Sequence, residues 1–282
     1  MVPLLLREKI FRQIAISLLG TLLACSSGCQ FWRRTGVSSA STLASRQYVQ
    51  EAVDSLQANH RSDAFTRLEL AVKANPENYE ARVLLADLLW ESGSHEDAIL
   101  QMQRATQNKD ATAEMFVKLA WMYYETEEYG LAQKNLQRGL KRNASLADGW
   151  VLQGKLYEHD GKLPQAIAAF HQAVFYNPEE SRAPLCLSDC YLKNQQPQRA
   201  LETILAAKSK CPAGQETAEM LYREGLAMSQ LKRYDEAARV LALAATKSDD
   251  PKIRESLAGL QKQTNPAVSA DVTPQYGSQV TP

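Results

Sequence analysis

Small and large apolar residues recur along this chain with a period of 34. Alanine stands at Ala64, Ala98, Ala132, Ala166 and Ala200, and again at Ala237 after an insertion of three residues. Three further columns keep their size class through six copies. Two are small: Ala52, Ala86, Ala120, Gly154, Ser188 and Gly225, then Ala71, Ala105, Gly139, Ala173, Ala207 and Ala244. The third is large and apolar: Leu68, Met102, Leu136, Phe170, Ile204 and Leu241. Small residues suit the close crossing of two helices, and large ones fill the space between hairpins. In the clearest copy, Ala147 to Glu180, two stretches of helical periodicity flank the turn Asp160-Gly161-Lys162. Pro164 suits a first helical turn, where its missing N–H costs nothing. Asn177-Pro178 ends the second helix, because the residue before proline is driven out of the helical region. One such hairpin cannot bury its apolar face alone, so the period predicts hairpins stacked into a solenoid.

The copies run Ser45–Asn78, Tyr79–Thr112, Ala113–Leu146, Ala147–Glu180, Ser181–Gly214 and Ala218–Pro251. A solenoid end needs a cap. Asp250-Pro251 reads as an N-cap and first helical residue, with Ile253, Leu257 and Leu260 on one face behind it. A capping helix is therefore expected over 250–263. Residues 264–282 have no periodicity and are rich in Ser, Thr, Gln and Pro, so a disordered tail is expected there.

Trp150, Gly154, Tyr157, Ala166, Phe170, Ala173 and Pro178 together resemble the signature of the tetratricopeptide repeat, and the resemblance covers about three quarters of the chain. It implies an all-α fold: a right-handed α-solenoid of about six helix-turn-helix units plus a C-terminal capping helix. It also implies a protein-binding module whose first helices turn one side toward a concave groove. In this sequence that side carries Val83, Asp87, Trp90, Val117, Trp121, Tyr124, Val151, Lys155, Asp189 and Tyr222. Relatives that clamp the acidic C-termini of cytosolic chaperones use Lys and Asn along this stripe. Here its leading positions are Val or Leu, with Tyr222 last, which implies an apolar or mixed extended segment as partner. Trp90, Trp121 and Tyr124 offer large contact area for little entropy loss. The competing reading packs these rings between adjacent first helices.

The N-terminus adds a compartment. Arg7, Lys9 and Arg12 precede the apolar run Ile14 to Ala24, of about eleven residues, and then Cys25. A basic start, a short apolar core and small residues form a secretory signal over 1–24. The run is shorter than the roughly twenty residues that span a hydrocarbon core. Leu22-Leu23-Ala24-Cys25 resembles a bacterial lipobox, which implies diacylglycerol and a further acyl chain on Cys25. More than one chain anchors firmly where a single one does not. An ordinary cleaved signal with an incidental cysteine is the alternative, and Cys29 is a second candidate for acylation. Residues 25–44, rich in Ser, Thr and Gly, read as the lipidated terminus and a flexible tether. The expected location is the periplasmic face of an envelope membrane, the outer one by preference.

Composition narrows the classes. Lys plus Arg and Asp plus Glu are 32 each and the pI is about 6.9, without the basic bias of a nucleic-acid binder. Cys186 and Cys190 share a helix face, but two thiolates do not close a tetrahedral zinc site. With Cys211 they read as buried structural thiols, a disulfide of Cys211 staying open. The four histidines, His60, His95, His159 and His171, form no metal motif, and no phosphate loop, nucleophile elbow or dinucleotide fingerprint occurs. No enzyme activity, cofactor, metal or small-molecule substrate is expected. Two roles remain: an adaptor in an envelope assembly, or a non-catalytic accessory subunit of an envelope enzyme complex.

Overall fold

Helical hairpins account for nearly all of residues 38–264, which the computed structural model describes except for 181 and 213. Cys25, the signal segment and the tail beyond Thr264 lie outside the described residues. Among the described residues there are thirteen helices and no strand. The chain divides after Asn108 into two compact units. The first holds α1 (Ser39–Gln57), α2 (Arg61–Ala74), α3 (Tyr79–Glu91) and α4 (His95–Thr106). The second holds α5 (Ala113–Glu125), α6 (Tyr129–Arg142), α7 (Ala147–His159), α8 (Leu163–Tyr176), α9 (Arg182–Lys193) and α10 (Pro197–Lys208). It continues with α11 (Ala218–Gln230), α12 (Tyr234–Lys247) and α13 (Pro251–Thr264).

Each hairpin turns on one left-handed residue, and these repeat with the same period: Asn59, Gly93, Glu127, Gly161 and Gln195, then Lys232 after the insertion. The next residue's N–H reaches back to a carbonyl five earlier in every case, as from His60 to Ser55, Glu128 to Tyr123 and Lys162 to Tyr157, each at 2.8 Å. This closes the first helix with a Schellman-type cap and satisfies carbonyls that the helix leaves without partners. It also fixes the angle at which the second helix folds back.

Packing inside the hairpins follows the columns. In the first unit Val49, Ala52, Ala64, Leu68, Ala71, Ala81, Leu85 and Leu88 form one buried cluster. In the second, Phe170, Leu187, Cys190, Leu201 and Leu241 belong to a cluster that joins several hairpins. In this unit each first helix also packs on the first helix of the next hairpin: α5 on α7, α7 on α9, α9 on α11. These helices thereby build one continuous face, while each second helix packs on the first helix of the next hairpin.

Residues 39–44, expected within the tether, are helical instead. Helix α1 begins at Ser39, with Ser38 as N-cap accepting from the Ser41 N–H at 3.1 Å. The small polar residues that suggested a linker form a capped first turn. Ser45 anchors the helix: it is fully buried, and its hydroxyl donates to the Ala71 carbonyl at 2.8 Å. At the other end α13 covers α12. The Asp250 carboxylate accepts from the Lys252 N–H at 2.9 Å, and Ile253 is buried with Leu221 and Ala244.

Candidate partner-binding face

The first-helix face of the second unit starts from an aromatic series. Trp121, half-buried on α5, meets Tyr124 edge to face with ring centroids 5.8 Å apart. Tyr124 meets Tyr129 at 5.6 Å, and Tyr129 lies 3.8 Å from His159. Burial, followed by the neighbouring Tyr129 and Glu158, raises the Tyr124 phenol above its ordinary value, so it stays protonated and able to donate. The guanidinium of Arg182, from the start of α9, sits over Trp121 at 5.3 Å and pairs with Asp148 on α7. A cation over an aromatic face adds electrostatic attraction to the contact.

Beside Trp121 opens a cleft of about 330 Å³ between α5 and α7, lined by Glu114, Val117, Lys118, Trp121, Leu146 and Asp148. Its walls are apolar and its rim carries both signs of charge. The Glu114 carboxyl is held below its ordinary value by its own backbone N–H and the Thr112 hydroxyl, so it remains an anion.

Farther along the face come ion pairs between successive first helices. Glu158 pairs with Lys193, and Asp189 takes Arg223 as a two-pronged partner with both contacts at 2.9 Å. Lys155 is half-buried there and lies within electrostatic reach of Cys186. Tyr222 packs against Leu221, Ala244 and Ile253. Beneath this face, burial pushes the Cys190 thiol up to about 12 and raises Cys186 as well, which favours the protonated form of both. The three described cysteines are free thiols.

In the first unit, Val83, Asp87 and Trp90 are half-buried along α3. Trp90 stacks on His95 of its own hairpin, with centroids 4.2 Å apart and planes 15° from parallel.

Two residues expected on the face are buried. Val151 is fully buried in the cluster that joins the hairpins. Val117 is 4% exposed, with a methyl group against the backbones of Gly139 and Gly149. Val151 thus lies under the surface that a partner could touch, while Val117, though buried, also lines the cleft. Trp121 answers to both readings: it packs on the core cluster and also walls the cleft.

Glu114, Lys118, Leu146, Asp148 and Arg182 were absent from the expected set. The signal that points to the last two is a spacing: Asp148 and Arg182 are opposite charges 34 apart, as are Asp189 and Arg223. Opposite charges one repeat apart meet when first helices stack.

A family model described as Tetratricopeptide repeat matches residues 49–112, 117–174 and 151–215. No curated protein matches the sequence. Among solved structures, the chain is similar to PilF of Pseudomonas aeruginosa, with 16% identity over 79% of this chain and 99% of that one and a TM-score of 0.67. It is also similar to PilW, described as a widely conserved type IV pilus biogenesis factor, with 16% identity over 77% and 98% and a TM-score of 0.66. YrrB, described as having an unusual peptide-binding site, matches with 18% identity over 66% and 90% and a TM-score of 0.50. At these identities the likeness is one of fold. Repeats of this class are in general protein-interaction scaffolds and typically non-catalytic. With its family model matching more than half of the sequence and its hairpins repeating as that class requires, the chain belongs to the tetratricopeptide repeat family.

Proposed function

We propose that this protein is an adaptor held at a bacterial envelope membrane by lipid on Cys25, and that the first-helix face of its second unit takes an extended segment of a partner protein. The observation that carries the binding part is the cleft beside Trp121, an apolar wall rimmed by Glu114, Lys118, Asp148 and the Arg182 guanidinium. An apolar side chain of the partner fills the cleft while polar groups on either side meet the rim charges. Such anchoring by one aromatic-walled pocket concentrates binding energy in few contacts.

The envelope part rests on the basic, apolar and small segments before Cys25, and on the similarity in fold to a structure described as a pilus biogenesis factor. An adaptor that positions partners at a membrane needs an anchor and an exposed face, and this layout supplies both. The test is fractionation of cells expressing wild type, Cys25→Ser and Trp121→Ala. Cys25→Ser should leave the membrane fraction or accumulate as precursor. Trp121→Ala should stay in the membrane, keep its helical content and lose co-purifying partner. Fatty-acid labelling of Cys25→Ser equal to wild type would contradict the anchor. Undiminished co-purification with Trp121→Ala would contradict the face.

A further inference from the structure

The first unit contains an arginine where neighbouring repeats place a ring. Arg82, Phe116 and Trp150 stand at equivalent positions, 34 apart. Trp150 donates from Nε1 to the Ala144 carbonyl at 2.7 Å, and Arg82 donates from Nε to the equivalent Pro76 carbonyl at 2.9 Å. The guanidinium thus replaces an aromatic ring in a ring's place, with the whole residue only 7% exposed. Its Nη1 donates to Gln101 at 2.6 Å, so the protein holds two of the three guanidinium nitrogens, and no hydrogen bond among the described residues engages Nη2.

The position 34 before Arg138 is Arg104. Arg138 lies over the Phe116 ring at 4.2 Å, a stabilising arrangement. In the first unit the same geometry sets one arginine toward another. Burial and then the charge of Arg104 hold Arg82 below its ordinary value. The charge of Glu77 acts the other way on Arg82, but more weakly than these two effects. Between them is a polar cleft of about 260 Å³, lined by Pro76, Glu77, Tyr79, Arg82, Arg104, Gln107 and Asn108. Glu77 supplies the one acidic side chain of that lining, and Asn108 donates to the Glu77 carbonyl at 3.0 Å, which fixes the loop.

We infer that this cleft is a binding site for a carboxylate, held between the buried guanidinium of Arg82 and the exposed one of Arg104. A planar carboxylate matches the fork of a guanidinium, and charge-assisted bonds of this kind are the strong ones. Two arginines and Glu77 leave the lining at one positive charge, which a monoanion neutralises and a phosphate dianion overshoots. The site shares no residue with the first-helix face of the second unit, so it stands or fails apart from the adaptor reading.

The test follows the arginine Nε–Hε resonances by ¹⁵N NMR. The full chain is titrated with acetate, with the peptide acetyl-Gly-Glu-Gly-amide, with its Gln counterpart and with inorganic phosphate. The variants are Arg104→Gln, at an exposed position, and Arg82→Trp, which restores the ring and N–H of Trp150. The expected result is saturable movement of two resonances with acetate and with the Glu peptide, none with the Gln peptide, and weaker response to phosphate. Arg104→Gln should weaken the response by about tenfold or more, the loss of one charge-assisted contact. Arg82→Trp should melt no lower than wild type and show no response. Tighter binding of the Glu peptide than of acetate assigns the carboxylate to a protein segment, and equal binding assigns it to a small free acid. Response to phosphate alone, to the Gln peptide, or undiminished in Arg104→Gln overturns the inference, as does no response in the wild type.

Discussion

The ring of Phe170 lies against the backbone of Gly154 so closely that a β-carbon there would meet three ring atoms at 2.5–2.7 Å. Gly225 and Leu241 repeat the relationship at equivalent positions in the last hairpin, at 2.6 and 2.7 Å. The small column is therefore the crossing point of two helices, and the large column opposite is what crosses it. Gly154→Leu should destabilise the protein by about 1–3 kcal/mol through overpacking. Chemical denaturation followed by circular dichroism measures it, and an unchanged midpoint would contradict the crossing.

Lys208 and Glu224 form an ion pair at 2.5 Å that joins α10 to α11, with side chains 20% and 6% exposed. Removing the lysine leaves a carboxylate buried without a partner. Lys208→Met should therefore cost about 3–5 kcal/mol. The double variant Lys208→Met with Glu224→Met should recover most of that loss, because well-packed apolar residues often replace a buried pair without penalty. A double-mutant cycle by denaturation decides it, and additive losses would contradict the pairing.

His171 accepts or donates a hydrogen bond with the Tyr191 hydroxyl at 2.8 Å. Partial desolvation, and then the nearby Arg199 charge, hold its imidazole below its ordinary value of 6.5. The folded state thus takes up this proton less readily than the unfolded chain. The stabilising contribution is present above pH 6.5 and erodes as pH falls from there toward the folded value. Wild type should lose more melting temperature than His171→Gln between neutral pH and mildly acid pH. Equal losses would place the acid sensitivity elsewhere.

Most of the fold was legible because a solenoid repeats its packing solution. The alanine column, the small column and the large column each fix a contact, and each recurs often enough to expose the period. The turns were only half legible. Gly93 and Gly161 announce a left-handed residue, but Asn59, Glu127, Gln195 and Lys232 adopt the same conformation without glycine, because the flanking helices dictate it. The start of α1 was missed because a serine N-cap with Ser39, Ser41 and Thr42 behind it has the composition of a linker.

The face was less legible than the fold. A helical wheel places Val117 beside Trp121 and Val151 beside Lys155, yet it cannot tell a residue at the surface from one under the next helix. The cleft depends on Leu146 and Asp148, which enter from a different hairpin and carry no aromatic signature. Arg182 becomes part of the site only because stacking brings it over Trp121.

The central claim is that the cleft beside Trp121 holds a partner segment in the cell. A photoreactive phenylalanine analogue placed at Lys118, which lines that cleft, tests it directly, with Leu205 on α10 as a comparison position at 44% exposure. Illumination of intact cells should give one defined protein adduct from position 118, lost when Trp121→Ala is added, and no such adduct from position 205. Equal adducts from both positions, or an adduct at 118 that survives Trp121→Ala with full yield, would contradict the account.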